Sequence, residues 1–235
     1  MSRLAAQLAA LKASSPLPFD LNAVTGLALD LGERNPRLKG FDPADTPAFS
    51  RWVDQERRRA GAVFAAGGYG ENRGLYRLSR HFDGGGAGAR TLHLGIDLWL
   101  DAGTAVHAVL PGVVHSTADN ARFGDYGPTL ILEHRVDGAV FHTLYGHLAR
   151  RSLEHTRPGQ AVAAGACIGW LGEPSENLGW PPHLHLQIIE NLEGHRGDYP
   201  GVCRPEDAAR YLANCPDPNL LLRLQCLPSS TESRP

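Results

Sequence analysis

The stretch Pro181-Pro182-His183-Leu184-His185-Leu186-Gln187 places two histidines two residues apart in a short apolar run. Side chains alternate between the two faces of a strand, so His183, His185 and Gln187 would share one face and the leucines the other. Such a strand is buried on one side and lines a site on the other. Its two histidines can equally be hydrogen-bonded structural residues, metal ligands or catalytic groups, so their role depends on partners elsewhere in the chain.

The composition favours a β-rich fold. The chain has 235 residues, which is enough for one large domain with a real core. Its 27 glycines and 17 prolines favour many short elements joined by tight turns. The net charge of −2 provides no basic field, and no apolar run approaches the roughly 20 residues that span a bilayer. We therefore expect neither nucleic acid nor a membrane as a partner.

Short strands and turns follow one another between residues 90 and 190. Asp137-Gly138, for example, is a typical two-residue hairpin turn between two apolar strands. No helical pattern interrupts this succession. The spacing predicts a mainly β fold, either an antiparallel β-sandwich or a partly closed barrel, with a few peripheral helices.

The segments on either side of these strands have helix and loop patterns instead, which suggests that the chain has three parts. We expect an N-terminal extension of helices and loops over residues 1–87, a β-core over 88–191, and a C-terminal helix and tail over 192–235 that pack on the core. In the extension, Thr46-Pro47 provides a capping residue and a proline that begin a helix. The segment 21–31 alternates weakly and is a candidate edge strand.

The first residues predict a short amphipathic helix, because Leu4, Leu8 and Leu11 recur at helical spacing. The alternative is an export signal, suggested by an early arginine and a run of alanine and leucine. Gln7 and Lys12 interrupt the apolar part, which favours the helix. The sequence as written predicts a cytoplasmic protein, or a periplasmic or secreted one if a leader was removed.

Two glycine-rich stretches, 67–70 and 83–86, flank a predicted short strand near residues 75–78. A phosphate-binding loop would need a lysine and a helix directly after the glycines, and neither follows. We interpret these stretches as mobile loops.

Candidate partners for the two strand histidines lie upstream. His93 and Asp97 are four residues apart with Gly95 between them. On a straight strand their backbones would lie about 13 Å apart, which is too far for both to hold one zinc ion. If they share a metal, the chain must bend there, and Gly95 permits a bend. Another candidate, His147, ends a predicted strand.

Three motifs together carry a resemblance to a known family. His93-x-x-x-Asp97, Tyr145-Gly146-His147-Leu148 and His183-Leu184-His185 occur in the order and rough spacing of the lysostaphin/LytM-type zinc metallopeptidases. The sequence resembles this family over about residues 88–190. The resemblance implies the family's β fold and one zinc ion per chain, held by His93, Asp97 and His185. It also implies that His147 and His183 are the catalytic groups, without showing which is the base and which the acid.

The same resemblance implies a function. The implied function is a zinc-dependent endopeptidase that acts on peptidoglycan or on related peptides that contain D-amino acids or glycine. Two alternatives stay open: a zinc-binding regulatory module without hydrolysis, and an intracellular hydrolase of a small amide or peptide. Non-catalytic members of the family have usually lost ligands, so the five intact positions favour the enzyme. Four residues before the last motif are either substrate contacts or caps on the sheet: Trp170, Glu173, Asn177 and Trp180.

Overall fold

An eight-stranded sheet organises the computed structural model, which describes residues 2–38, 45–73, 89–122, 125–177 and 179–227. The strands in these ranges are β1 (Gly26–Leu29), β2 (Phe64–Gly67), β3 (Leu92–His93), β4 (Ile96–Trp99), β5 (Ala105–His107), β6 (Gly112–Asn120), β7 (Gly127–Val136), β8 (Ala139–Gly146), β9 (Ala161–Val162), β10 (Cys167–Trp170), β11 (His183–Ile189) and β12 (Val202–Cys203). The order in the main sheet is β1-β2-β4-β11-β8-β7-β6-β9.

The predicted mainly β fold is confirmed. Neighbouring strands of the main sheet are antiparallel, except that β1 and β2 run parallel at one edge and make the sheet mixed. Two further antiparallel pairs, β5 with β10 and β3 with β12, complete the described strands. The predicted hairpin turn is also present: Asp137 and Gly138 join β7 to β8, with φ angles of 48° and 77°. Positive φ at both positions matches the twist of the paired strands.

A second layer packs over one face of the main sheet. Val106 of β5 and Ile168 of β10 belong to the same buried cluster as Leu184 and Leu186 of β11. The leucines of the opening motif therefore face a core between two sheets, in the manner of a β-sandwich. Their neighbours His183 and His185 are left for the opposite face.

Helices lie around this β-core. Those in the described residues are α1 (Arg3–Ala10), α2 (Thr46–Arg59), α3 (Arg151–His155), α4 (Ala208–Asn214) and α5 (Asn219–Leu222), with 3₁₀ turns at Pro36–Leu38 and Pro205–Asp207. The amphipathic α1 is confirmed, because Leu4 and Leu8 are buried in the main core. The residue that caps α2 is Asp45 rather than the expected Thr46: its side chain accepts from the Ala48 amide at 2.9 Å. Among the described helices, none is long and apolar enough to cross a membrane.

The N-terminal segment contributes two strands to the main sheet. The candidate strand within 21–31 is confirmed as β1, at the edge, and β2 pairs with β4 beside it. The three-part division of the chain stays a prediction. The strand expected near residues 75–78, the glycines at 83–86 and the C-terminal residues 228–235 lie outside the described residues.

Candidate metal centre and active site

The five candidate residues meet where β4, β11 and β8 lie side by side. His185 on β11 is directly opposite Asp97 on one neighbouring strand and Gly146 on the other. His147 follows Gly146, and His183 precedes His185 by two residues on the same face. Hydrogen-bonded strands therefore bring four of the five candidate residues together, and His93 approaches these four from β3.

The chain bends between His93 and Asp97. β3 ends at His93 and β4 begins at Ile96, so Leu94 and Gly95 separate the two strands. A Cβ on Gly95 would lie 2.7 Å from Cε1 and Nε2 of His185. Glycine is therefore required here because the ring of His185 approaches the backbone closely.

His93, Asp97 and His185 bring together three atoms that could bind a metal ion. Nε2 of His93 lies 3.0 Å from Nδ1 of His185, and Oδ1 of Asp97 lies 3.3 Å and 2.9 Å from these two nitrogens. All three side chains are buried. Ligand atoms about 2.0–2.1 Å from a tetrahedral zinc ion lie about 3.3 Å from one another. The observed spacing fits one ion of this size.

Outer hydrogen bonds fix which ring nitrogens carry protons. Nδ1 of His93 donates to the carbonyl of Gly68 at 3.1 Å, which leaves its Nε2 as a lone-pair donor. Nε2 of His185 donates to Oε1 of Gln187 at 3.0 Å, which leaves Nδ1 of this ring as its lone-pair donor. The amide of Gln187 is oriented because its Nε2 donates to the carbonyl of Pro200. Two imidazole lone pairs and a carboxylate oxygen therefore face one another, an arrangement that a cation stabilises.

The electrostatics of the cluster suit a metal. Burial, with a contribution from Arg73, lowers the pKa of His93 to about 4, so the ring is neutral at pH 7. Burial alone would raise the pKa of Asp97, but neighbouring groups, among them the Arg73 guanidinium, outweigh it and hold that pKa well below its usual value. A neutral imidazole and an ionised carboxylate are the forms that bind metal.

His147 and His183 form a second histidine pair beside His93, Asp97 and His185. Their ring centroids are 4.0 Å apart, and the ring of His147 lies 6.5 Å from that of His185. Nδ1 of His183 donates to the carbonyl of Pro181 at 2.7 Å, and Nδ1 of His147 donates to Oδ1 of Asn177. Each ring therefore keeps Nε2 as its basic nitrogen. Burial is the main cause that lowers the pKa of both rings, so both are neutral at pH 7.

Asn177 and Trp180, two of the four residues that precede the last motif, pack next to the site. Asn177 is fully buried, and its Nδ2 donates to the carbonyls of Trp180 and Pro181, which turns Oδ1 toward His147. The Trp180 ring packs edge-on against Phe49 of α2, with centroids 6.4 Å apart. Asn177 therefore contacts His147 and Trp180 packs on α2, while the choice between substrate contact and cap stays a prediction.

A buried ion-pair network, which the sequence did not reveal, joins the site from the segment before β3. Nη1 of Arg73 donates to Oδ2 of Asp97 at 2.6 Å, and Nε donates to Oε2 of Glu71 at 3.0 Å. Gly68, in the same segment, supports His93 as described above. The interpretation of residues 67–70 as a mobile loop is therefore wrong: Gly67 ends β2 and Gly68 is buried against the site.

Tyr126 is another supporting residue that sequence reasoning missed. Its hydroxyl donates to Oε1 of Gln187 at 3.3 Å, and its ring centroid lies 5.0 Å from that of His185. Gln187 did have a sequence signal, since strand alternation placed it on the site face. Tyr126 had none, because it lies in a loop 61 residues before Gln187, to which its hydroxyl donates.

The β-core and this cluster of histidines and a carboxylate lie in a segment that resembles a known family. Residues 91–196 match the family model of peptidase family M23. Residues 91–196, somewhat under half of the chain, are thus similar to this family, and the resemblance to lysostaphin/LytM-type peptidases is confirmed over this segment.

Solved structures are similar to the chain as well. The catalytic domain of the antimicrobial peptidase lysostaphin from Staphylococcus simulans shares 21% identity, with 68% of this chain and 97% of that chain covered and a TM-score of 0.41. The catalytic domain of the prophage-encoded M23 protein EnpA from Enterococcus faecalis, solved as a mutant, shares 23% identity. The match covers 59% of this chain and 85% of that chain, with a TM-score of 0.38. A zinc-containing peptidase from Vibrio cholerae shares 27% identity. The match covers 42% of this chain and 27% of that chain, with a TM-score of 0.31. A search of curated proteins found no match.

Proposed function

We propose that the chain is a zinc-dependent endopeptidase that hydrolyses peptide bonds in peptidoglycan or in related peptides containing D-amino acids or glycine. The observation that carries this proposal is the meeting of three ligand atoms, all within 3.3 Å of one another, inside the segment that matches family M23. His147 and His183 lie directly beside them.

His93, Asp97 and His185 would hold the zinc ion through Nε2, Oδ1 and Nδ1. A zinc ion with two imidazoles and one carboxylate supplies a Lewis acid and activates water for attack on a peptide carbonyl. The hydrogen bonds from His93 to Gly68 and from His185 to Gln187 keep the two coordinating nitrogens unprotonated. The site is thereby prepared for a divalent ion before one binds.

His147 and His183 would move the protons of the reaction at Nε2. Both rings are neutral at pH 7 because burial lowers their pKa, so either can accept a proton from the attacking water. The leaving amine needs a proton in return, which the other ring can supply. Their Nδ1 atoms are held by Asn177 and Pro181, so each ring presents one nitrogen for this work.

The substrate class rests on the family match, because peptidase family M23 and the lysostaphin-type resemblance both concern peptide substrates. The absence of nucleic-acid and membrane partners stays a prediction from composition. The compartment also stays a prediction.

A digest tests this function. Zinc-loaded wild-type protein should release new amino termini from purified peptidoglycan or from peptides containing D-Ala or glycine, as read by mass spectrometry. His183→Ala should retain zinc and lose most of the cleavage, since a general acid–base group contributes about 10²–10⁴-fold. His195→Ala, at an exposed histidine, is the matched control and should cleave like wild type. If zinc-loaded wild type cuts none of these substrates, the peptidoglycan assignment is overturned.

A further inference from the structure

We infer that Arg73 is a positioning residue for the metal centre, which holds Asp97 as a ligand through one oxygen only. This inference rests on the proposed function, because it concerns the same zinc site. Arg73 lies outside the segment 91–196 that matches the peptidase family, so the domain match does not assign it a role. The contacts of its guanidinium group are what indicate a role for Arg73.

The two oxygens of the Asp97 carboxylate face different partners. Oδ1 lies 2.9 Å from Nδ1 of His185 and 3.3 Å from Nε2 of His93. Oδ2 accepts from Nη1 of Arg73 at 2.6 Å. With Oδ2 bound in this way, only Oδ1 remains for a metal. The guanidinium thus selects the carboxylate rotation that the four-coordinate geometry of zinc needs.

The guanidinium is itself held from a second direction. Its Nε donates to Oε2 of Glu71 at 3.0 Å, and Oε1 of Glu71 accepts from the amide of Leu31 at 2.8 Å. Two nitrogens of the planar fork therefore contact two carboxylates at once. A lysine ammonium carries the same charge on a single nitrogen and would not reproduce this geometry.

Glu71 also balances the charge of the network. Arg73 and Glu71 are nearly fully buried, with 2% and 7% of their surfaces exposed. A lone buried cation beside the site would oppose the binding of a divalent metal. Because Glu71 pairs with Arg73, the pair adds no net charge, and Asp97 remains the negative ligand.

Backbone hydrogen bonds fix this network to the strand that carries His93. The amide of Arg73 donates to the carbonyl of Thr91 at 2.9 Å, and the amide of His93 donates to the carbonyl of Glu71 at 3.0 Å. The segment from Gly68 to Arg73 therefore orients two of the three ligands: Gly68 contacts His93 and Arg73 contacts Asp97.

The test compares metal binding by Arg73→Met and wild type, with zinc competed against a chromophoric chelator. We expect zinc affinity to fall about 10–100-fold, as is typical when an outer-shell partner of a ligand is removed. Cobalt(II) absorption provides a second measurement that a general loss of stability would not change. Wild type should give the intense visible bands of a four-coordinate site. Arg73→Met should give weaker bands of higher coordination, because both oxygens of Asp97 become free to bind.

Two further variants sharpen the comparison. Arg57→Met is the matched control: it removes an arginine that pairs with Asp101 at 2.8 Å, away from the cluster, and should leave zinc affinity and the cobalt spectrum unchanged. Arg73→Lys should restore only part of the affinity, because one nitrogen cannot contact both carboxylates. If Arg73→Met does not fold, the double variant Glu71→Gln/Arg73→Met removes both buried charges together, and the same expectations apply to it.

The outcomes separate this inference from the proposed function. If wild type binds zinc tightly and the Arg73 variants match it in affinity and in cobalt spectrum, the inference is overturned while the proposed function stands. If wild type binds no zinc, the proposed function fails and this inference fails with it.

Discussion

Asp97 and His185 lie directly opposite each other on the antiparallel strands β4 and β11, and Oδ1 and Nδ1 of the two side chains are 2.9 Å apart. The register of the main sheet, rather than the conformation of a loop, therefore sets this pair. β11 is also bonded to β8 on its other side, so the strand that carries His185 is central. Sites on such strands are well pre-organised, which suits the proposed metal centre, because its ligands must meet within a few tenths of an ångström.

Removing the Gln187 amide should weaken zinc binding. Gln187→Leu deletes the acceptor for Nε2–H of His185, so the ring is free to place a proton on Nδ1, the coordinating atom. We expect zinc affinity to fall about 10–100-fold in a chelator competition. The same substitution at the exposed Gln160 is the control and should have no effect. Equal affinity in Gln187→Leu and wild type would refute the tautomer assignment.

A methyl group on Gly95 should disturb the metal centre sterically. The new Cβ would lie 2.7 Å from the His185 ring and equally close to the carbonyl oxygen of Leu186, so either the ring or the strand must move. We expect Gly95→Ala to cost about 1–3 kcal/mol of unfolding free energy and to lose tight zinc binding. In the control Gly32→Ala, the new atom meets only the end of the exposed Asp30 side chain, which can rotate away. Urea denaturation and metal analysis would show whether the two variants differ.

Asn177 should affect catalysis without affecting the metal. Its Oδ1 holds Nδ1–H of His147, and it contacts none of the three ligands through its own hydrogen bonds. We expect Asn177→Ala to lower kcat by about tenfold or more, up to the 10²–10⁴-fold that a general acid–base group contributes, with zinc content unchanged. Asn177→Asp keeps the acceptor for His147 but loses the donor to the carbonyls of Trp180 and Pro181, so it should recover only part of the rate. An unchanged kcat in Asn177→Ala would contradict the orienting role.

His134 should make the fold sensitive to acid. It is completely buried, with Nδ1 donating to the carbonyl of Pro111 and Nε2 accepting from the Thr143 hydroxyl. Burial lowers its pKa from 6.5 to about 4. The unfolded chain therefore takes up this proton at a higher pH than the folded chain, so the stabilisation is complete above pH 6.5 and is lost as the pH falls toward 4.

At pH 5 this loss amounts to about 2 kcal/mol for His134 alone. Urea denaturation at pH 7 and pH 5 should therefore show a smaller pH-dependent change in His134→Asn than in wild type, by about this amount. Other buried histidines contribute to both proteins equally, so the difference isolates His134. An identical pH-dependent change in the two proteins would rule out this role.

The elements that carry the proposed ligands could be predicted from the sequence because their signals are local. Alternation placed His183, His185 and Gln187 on one face, and the structure finds the leucines between them in the core. The need for a bend between His93 and Asp97 followed from strand geometry, and Gly95 marked its position.

The support around the ligands could not be predicted, because its contacts are distant in sequence. Arg73 reaches Asp97 across 24 residues and Tyr126 reaches Gln187 across 61, and neither residue has a periodic or motif signal. Local glycine content misled the interpretation of residues 67–70, since strand pairing with β4 orders Gly67. The cap of α2 was placed one residue late because Asp45 and Thr46 are both good capping residues.

Metal content tests the central claim most directly. Wild-type protein purified without chelator should contain one zinc ion per chain by elemental analysis, and it should keep that ion through dialysis. His185→Ala removes one of three ligands and should hold no zinc after the same dialysis, while His195→Ala, an exposed histidine, should match wild type. Wild-type protein that contains no zinc and takes up none when it is supplied would contradict the account.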